Sequence, residues 1–283
     1  MSTEEGVADR LTIGAARGRY GRSVVVGALL LSAFCLSPSP SAQTRRPAPA
    51  RSFFEPFDGL DGRRWYISDG WVNGSHQGCT WSRAAVDIKK GILRLSVLPR
   101  ANRLRPLVCG EVQALGGAYG YGTYEVRMRA ASGSGLNSAI FTYSGPPNTP
   151  IHDEIDFEFL GKYQQKVMLN YYVSGFGENV KLQNLQESAF IDFHHYAFVW
   201  QPDKVRWYVD GKLIRIADQS PLPSTPGKLY LSLWSGSSVA DGWMGRLDET
   251  AVPATAEYDW VAYTAPGDRC LFPESITCSP KTK

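Results

Sequence analysis

The chain is predicted to be all-β, an antiparallel sandwich or barrel, on three observations. Short segments alternate apolar and polar side chains with a period of two. No amphipathic helix of about ten or more residues follows the N-terminal region. The 28 glycines and 18 prolines supply the turns that many short strands require.

In chain order, the first element is a leader over residues 1–42. Arg10, Arg17, Arg19 and Arg22 precede an apolar run from Val24 to Leu36, and small residues and prolines follow to Ala42. This is the pattern of a signal peptide, with cleavage expected within 37–44. The run is shorter than the roughly 20 apolar residues of a membrane-spanning helix. The alternative is a buried apolar helix of the fold. Residues 43–51, "QTRRPAPAR", read as a Pro-rich linker. Residues 52–283 form one domain, since no later break in composition and no internal repeat is evident.

Export places the mature chain in the periplasm or outside the cell, where thiols oxidise. Loss of Cys35 with the leader leaves Cys79, Cys109, Cys270 and Cys278. Four cysteines allow three pairings, of which Cys79–Cys109 with Cys270–Cys278 closes the shortest loops. No close C-x-x-C spacing supports zinc. The formal charge of +3 and the absence of a Lys/Arg-rich run give no support to a nucleic-acid partner.

Strands follow in order. "GILRLSVLP" sets Ile92, Arg94 and Ser96 against Leu93, Leu95 and Val97. "YGTYEVRMRA" sets Tyr124, Val126 and Met128 against Thr123, Glu125, Arg127 and Arg129. "HYAFVWQPDKVRWYV" is a hairpin across Gln201-Pro202-Asp203, and "KVRWYVDGKLIRIA" is a second across Asp210-Gly211, a pair that accepts positive φ.

Between these lies "IHDEIDFEFLG", residues 151–161, with Glu154, Asp156 and Glu158 at two-residue spacing. In a strand the three share one face, and Ile155, Phe157 and Phe159 point into the sandwich. A solvated sheet face is the commonest meaning of such a pattern, yet three like charges with no basic neighbour repel, and a raised pKa or a bound partner must absorb that repulsion. A Ca²⁺ or Mg²⁺ site is a second reading, though a flat strand converges poorly on an ion. Glycoside hydrolysis is the third. Glu154 and Glu158 are ~13–14 Å apart along a strand, and carboxyls leaning inward by ~3–4 Å each would approach ~6 Å, near the separation of retaining glycosidases.

Trp71, Trp81, Trp234, Trp243, Tyr143 and Tyr172 supply aromatic faces of the kind a sugar ring packs on. Asn73, Glu111, Gln113 and Asn170 are candidate partners for hydroxyls, while His76, His194 and His195 read as structural. Asn73-Gly74-Ser75 matches a short glycosylation pattern. Nucleophile-elbow, Walker and dinucleotide motifs are missing.

"HDEIDFEFLG" resembles the E-x-D-x-E signature of glycoside hydrolase family 16. "SFFEPF" (52–57), "DGWVNG" (69–74), "CTW" (79–81), "YGYGTYEVRM" (119–128), "FTYSGP" (141–146), "NYYVSG" (170–175), "YAFVWQP" (196–202) and "YDWV" (258–261) resemble the bacterial lichenases of that family. "WYISDGWVNG", "AASGSGLNSAIFTY" and "RCLFPESITC" (269–278) are closer to its succinoglycan-depolymerising branch. The resemblance implies a jelly-roll β-sandwich of two antiparallel sheets with a concave substrate cleft. It implies Glu154 as nucleophile, Glu158 as general acid/base and Asp156 as the carboxylate that assists them. It implies sugar contacts at Asn73, Glu111, Gln113, Tyr143, His152, Asn170, Tyr172, Trp234 and Trp243, and a Cys79–Cys109 disulfide. No cofactor is implied for catalysis; a structural Ca²⁺ is, with ligands at Pro56, Gly91 and Asp259.

Three positions depart from the lichenase pattern. His152 stands where lichenases carry Trp, Gln113 where they carry Arg, and Ser232 where they carry Asn. The expected substrate is therefore a mixed β-1,3/β-1,4 glucan or a bacterial exopolysaccharide such as succinoglycan. The expected partner is that polysaccharide alone, taken by a monomer with no nucleic-acid or membrane contact once the leader is removed. A transglycosylase and a non-catalytic carbohydrate-binding module are the competing functions. Longer products with an added acceptor would mark the first, and binding without release of reducing ends the second.

Overall fold

Period-two alternation becomes sixteen strands in the computed structural model, which describes residues 48–177 and 179–278. The leader and the first residues of the Pro-rich segment lie outside the described residues. In order the strands are β1 (Phe53–Glu55), β2 (Trp65–Ile67), β3 (Cys79–Trp81), β4 (Val86–Lys89), β5 (Ile92–Leu98), β6 (Leu107–Ala114), β7 (Gly122–Arg129) and β8 (Leu136–Tyr143). Then come β9 (Glu154–Leu160), β10 (Lys166–Tyr172), β11 (Lys181–Asn184), β12 (His194–Gln201), β13 (Lys204–Val209), β14 (Lys212–Ala217), β15 (Lys228–Ser235) and β16 (Ala254–Thr264). The one α-helix among the described residues is a single turn, α1 (Asp241–Met244). No helix of the described residues is long and apolar enough to cross a membrane.

A front sheet runs β11-β10-β9-β8-β15-β6, with β2 on β6. A back sheet runs β5-β16-β7-β12-β13-β14, with β1 on β16 and β4 on β5. Strand β6 belongs to both, pairing with β15 through Gly110–Gln113 and with β5 through Val108 and Cys109. This is the jelly-roll sandwich that the sequence predicts. Every ladder is antiparallel except that of β3, which runs parallel to β6. The two hairpins read from sequence form as expected, and Asp210 and Gly211 both take positive φ, 47° and 73°.

The core forms where the inward residues of the two sheets meet. Ile155, Phe157 and Phe159 of β9 are fully buried, as are Tyr124, Val126 and Met128 of β7. Phe157 and Phe159 pack across the sandwich on Tyr196 of β12, with ring centroids 5.6 and 4.6 Å away. Each such ring contributes about 1.5–3 kcal/mol by leaving water. Polar tips of back-sheet residues also hold the front sheet in place. Trp207 Nε1 donates to the Asp156 carbonyl at 3.2 Å, and the Tyr258 hydroxyl lies 3.1 and 2.9 Å from the carbonyls of Ala139 and Ser232.

Cys79–Cys109 and Cys270–Cys278 are both bonded. Alternation places Glu125 on the outward polar face of β7, yet Glu125 is fully buried. The segment closed by Cys270–Cys278 covers it: Ser275 Oγ and the Ile276 N–H donate to its carboxylate, and His195 Nε2 lies 3.0 Å away. A charged group hidden in this way needs such partners. The described end of the Pro-rich segment is also packed, because Ala50 is buried and its N–H donates to Ala118.

Candidate active site

Strand pairing brings the outward residues of the front sheet into rows. Lys228, Tyr143, Glu154 and Tyr172 stand side by side across β15, β8, β9 and β10. The next row is Gln113, Tyr230, Phe141, Asp156 and Asn170. A third is Glu111, Ser232, Ala139, Glu158 and Met168, and Trp234 opposes Asn137 one row further. These rows floor a cleft of about 770 Å³. Loops add Asn73 and His152 and the single-turn helix α1 adds Trp243, so all nine sugar-contact candidates and all three carboxylates line one cavity.

The carboxyls differ in their surroundings. Glu154 Oε2 meets His152 Nε2 at 2.8 Å. The other ring nitrogen, Nδ1, accepts the Asn148 N–H at 3.2 Å, which assigns the proton to Nε2 and makes it a donor to Glu154. His152 is itself buried, stacked on Tyr172 at 4.8 Å and 23° and lying 5.0 Å from Tyr143. Asp156 is buried between the two glutamates, and its pKa is raised well above the usual range by burial first and then by the charges of Glu154 and Glu158. The neighbouring Glu154 side chain adds a further, smaller push in the same direction. Glu158 is pushed up to about 8 by burial, with the Glu154 charge adding and the Asn137 Nδ2 donor, 2.8 Å from Oε1, opposing. At neutral pH the strand therefore holds a protonated carboxyl at Glu158, while the His152 N–H aims at Glu154.

Glu111 stands on β6 facing this group. Burial pushes its pKa up to about 7, against hydrogen bonds from Ser68 Oγ at 2.6 Å and Gln113 Nε2 at 3.2 Å and the Lys228 charge. Gln113 in turn accepts Lys228 Nζ at 3.2 Å. Asp156 Oδ2 and Asn170 Oδ1 are buried in the cleft floor without a partner in the protein, as polar atoms meant for ligand hydroxyls would be.

Aromatic rings form the walls. Trp234 packs 5.7 Å from Trp243 and 5.7 Å from His76, and Trp71 lies 6.2 Å from Trp81. The loop bearing Trp71, Asn73 and His76 is tied down at several points. Arg105 donates to the carbonyls of Gln77 at 2.7 Å and Gly74 at 3.0 Å, Gln77 Oε1 accepts the Asn73 N–H at 2.7 Å, and Cys79–Cys109 fixes the loop's end to β6.

One placement differs from expectation, and one neighbouring acid has a separate role. His76 lines the cleft instead of standing apart from it. The fourth acid of the signature, Asp153, points away from the three others and accepts the N–H groups of Ser174, Ser224 and Thr225 at 2.9, 2.7 and 2.8 Å. It joins three loops at the entry to β9, and its odd register against the E-x-D-x-E set is the signal for that separate role. Asn137 and Tyr230 carry no such signal, because a strand Asn or Tyr is assigned to a cleft only through its cross-strand neighbours.

Pro56, Gly91 and Asp259 meet at one corner of the back sheet. β1 and β5 share an edge of β16, with Glu55 opposite Val261 and Leu93 opposite Tyr258, so the gap between them faces Asp259 at a bulge. Asp259 Oδ2 is ion-paired with Arg127. Carbonyl and carboxylate oxygens suit a hard cation in kind, but the one carboxylate is half committed to a guanidinium. No cluster of three or more His, Cys, Asp or Glu side chains suited to a metal occurs among the described residues.

Comparison with known proteins decides the family. Residues 73–262 match the model for glycosyl hydrolases family 16. The chain belongs to this family. It is 46% identical over 229 residues to the endo-1,3-1,4-beta-glycanase ExoK of Rhizobium meliloti, covering 81% of this chain and 84% of that one. To the beta-glucanase of Bacillus subtilis it is 42% identical over 243 residues, 85% of this chain and 96% of that one. The structure of Bacillus licheniformis beta-glucanase superposes with a TM-score of 0.71 at 41% identity, covering 76% of this chain and 99% of that one. As a family 16 member the chain is a glycoside hydrolase, and the carboxylate row lies within the matched residues.

Proposed function

We propose that this glycoside hydrolase is a secreted, monomeric endo-β-glycanase that cuts mixed β-1,3/1,4-linked glucans, or a bacterial exopolysaccharide such as succinoglycan, with retention of configuration. The observation that carries the reading is the contrast between neighbouring carboxyls: Glu158 keeps a proton up to about pH 8, while Glu154 faces the His152 N–H. The substrate class follows the relatives named beta-glucanase and endo-1,3-1,4-beta-glycanase.

In the first step Glu154 attacks the anomeric carbon, the glycosidic C–O bond breaks, and Glu158 passes its proton to the departing oxygen. The His152 N–H holds Glu154 in line, and Asp156, buried between the two glutamates, assists. In the second step Glu158, now a carboxylate, takes a proton from water as that water displaces Glu154, restoring both groups. Trp234 and Trp243 offer faces for sugar rings, and Asn73, Glu111, Gln113, Asn170 and Tyr143 offer hydroxyl partners. A structural Ca²⁺ held by the Pro56 and Gly91 carbonyls and Asp259 would brace the back sheet without entering the reaction.

The test is hydrolysis of lichenan, laminarin, xyloglucan and succinoglycan side by side, with mass spectrometry of products, for the wild type and for Glu154→Gln and Glu158→Gln. Lichenan or succinoglycan cleavage lost by at least about a hundredfold in both folded variants is expected. Near-normal turnover in either variant rejects the assignment.

A further inference from the structure

A second pocket of about 700 Å³ adjoins the cleft and shares Tyr143 and Tyr230 with it. The two cavities have opposite electrostatic character. The main cleft is lined by four carboxyls, Glu111, Glu154, Asp156 and Glu158, and by no Lys or Arg. Among the described residues, the second pocket is lined by one cation, Lys228, and by no carboxyl. We propose that this pocket takes a carboxylate carried on a substrate sugar, with Lys228 as its counter-ion, so that the enzyme accepts an acidic glucan in one defined orientation.

Register places Lys228 beside Tyr143 on the outward face of β15, in the same row as Glu154. Its ammonium has three donors, and Gln113 Oε1 takes one at 3.2 Å. Lys228 forms no ion pair among the described residues, and the one carboxyl on which its charge acts, Glu111, belongs to the main cleft. The pocket has room for a substituent: a Cβ at Gly116 would meet nothing within 4 Å. It also has a fixed wall, because Tyr119 and Gly227 exchange two backbone hydrogen bonds of 2.8 and 2.9 Å. An anionic group in the main cleft would face carboxyls that ionise as pH rises, whereas the same group one sugar away in the second pocket faces an ammonium. The carboxylate can belong to the sugar ring's own short arm or to a longer acyl arm, and the chemistry recognised is the same.

This inference rests on the reading of the cleft as a glucan-binding active site, and binding is therefore measured apart from cleavage. Calorimetry would compare Glu158→Gln with Glu158→Gln/Lys228→Gln on three sets of lichenan oligosaccharides: carboxymethylated, succinylated and, as a neutral control of similar size, hydroxyethylated. The expected result is a loss of about two- to fivefold in affinity for at least one carboxylate-bearing set on removing Lys228, the range for a partly exposed ion pair. Affinity for the hydroxyethylated set stays within about twofold, and the loss shrinks at about 1 M salt, where the screening length is about 3 Å. The set that responds tells which arm reaches Lys228. Equal affinities with and without Lys228, or the same loss on the neutral set, would overturn the proposal. Binding of the oligosaccharides by the variants, with no cleavage of lichenan, laminarin, xyloglucan or succinoglycan by the wild type, would instead overturn the proposed endo-glycanase reading and leave the Lys228 comparison standing.

Discussion

His152 shows how one residue can set the geometry of another. Its ring is clamped by Tyr172 and Tyr143, its Nδ1 is occupied by the Asn148 N–H, and the remaining N–H is thereby pointed at Glu154. A carboxylate on a strand end has rotamer freedom, and a fixed donor removes it. His152→Ala is expected to lower kcat about 10- to 100-fold, the scale of a small misplacement of a reacting group, with KM changed less. His152→Gln, which restores an N–H donor, should recover a large part of that loss. A KM effect alone, with kcat intact, would make His152 a sugar contact and not a positioning residue.

At the scale of elements, the strand edges decide what meets. β1 and β5 dock end to end on one edge of β16, and the place where they meet is the corner formed by Pro56, Gly91 and Asp259. An oxygen-bound cation there would tie the ends of β1 and β5, which pair with β16 but not with each other, to the β16 bulge. With Ca²⁺ at about a hundredfold above its Kd the stabilisation is about 2.7 kcal/mol, or roughly 5–10 °C in Tm for a domain of this size. Thermal melting with and without a chelator reads this directly. A lower midpoint with chelator, and unchanged turnover well below the transition, is expected; an unchanged midpoint would remove calcium from the description. On the opposite sheet the same principle builds the cleft. Glu111, Glu154, Asp156 and Glu158 converge only because β6, β15, β8, β9 and β10 pair in one register, and a slip of one residue would turn every one of them into the core.

For the whole molecule, three raised carboxyls, Glu111, Asp156 and Glu158, tie stability to pH. Glu111 and Glu158 have folded pKa values of about 7 and about 8 against ordinary values of 4.5. Between about pH 4.5 and about pH 8 the folded state binds more protons than the unfolded state, so stability falls as pH rises through that window. Glu158→Gln removes one contributor. Its Tm advantage over the wild type is expected to grow from about pH 5 to about pH 8. A gap that stays constant with pH would show that Glu158 does not carry the shift. The protonated acid that the reaction needs is thus held at a cost in stability.

Much of this molecule is legible in its sequence because period-two patterning reports which face each side chain takes. Ile155, Phe157 and Phe159 go to the core and the three acids to the cleft, and Asp210-Gly211 turns as its φ preferences dictate. Glu125 and His76 were not legible. What covers Glu125 is a segment about 150 positions away in the chain, and what brings His76 to Trp234 is a loop fixed by Arg105 and a disulfide. Asn137 and Tyr230 belong to the same class, since only strand order makes them neighbours of Glu158 and Phe141. Local pattern fixes the facing of a residue, and long-range pairing fixes its company.

The most direct measurement is azide rescue of Glu154→Ala and Glu158→Ala acting on a dinitrophenyl β-glycoside of a short mixed-linkage oligosaccharide, with NMR assignment of the product. Removal of the nucleophile opens the α face, so Glu154→Ala should yield the α-glycosyl azide. Glu158→Ala should still form the glycosyl-enzyme and yield the β-glycosyl azide. A β-azide from Glu154→Ala, or an α-azide from Glu158→Ala, would contradict the double displacement with these two glutamates in these two roles.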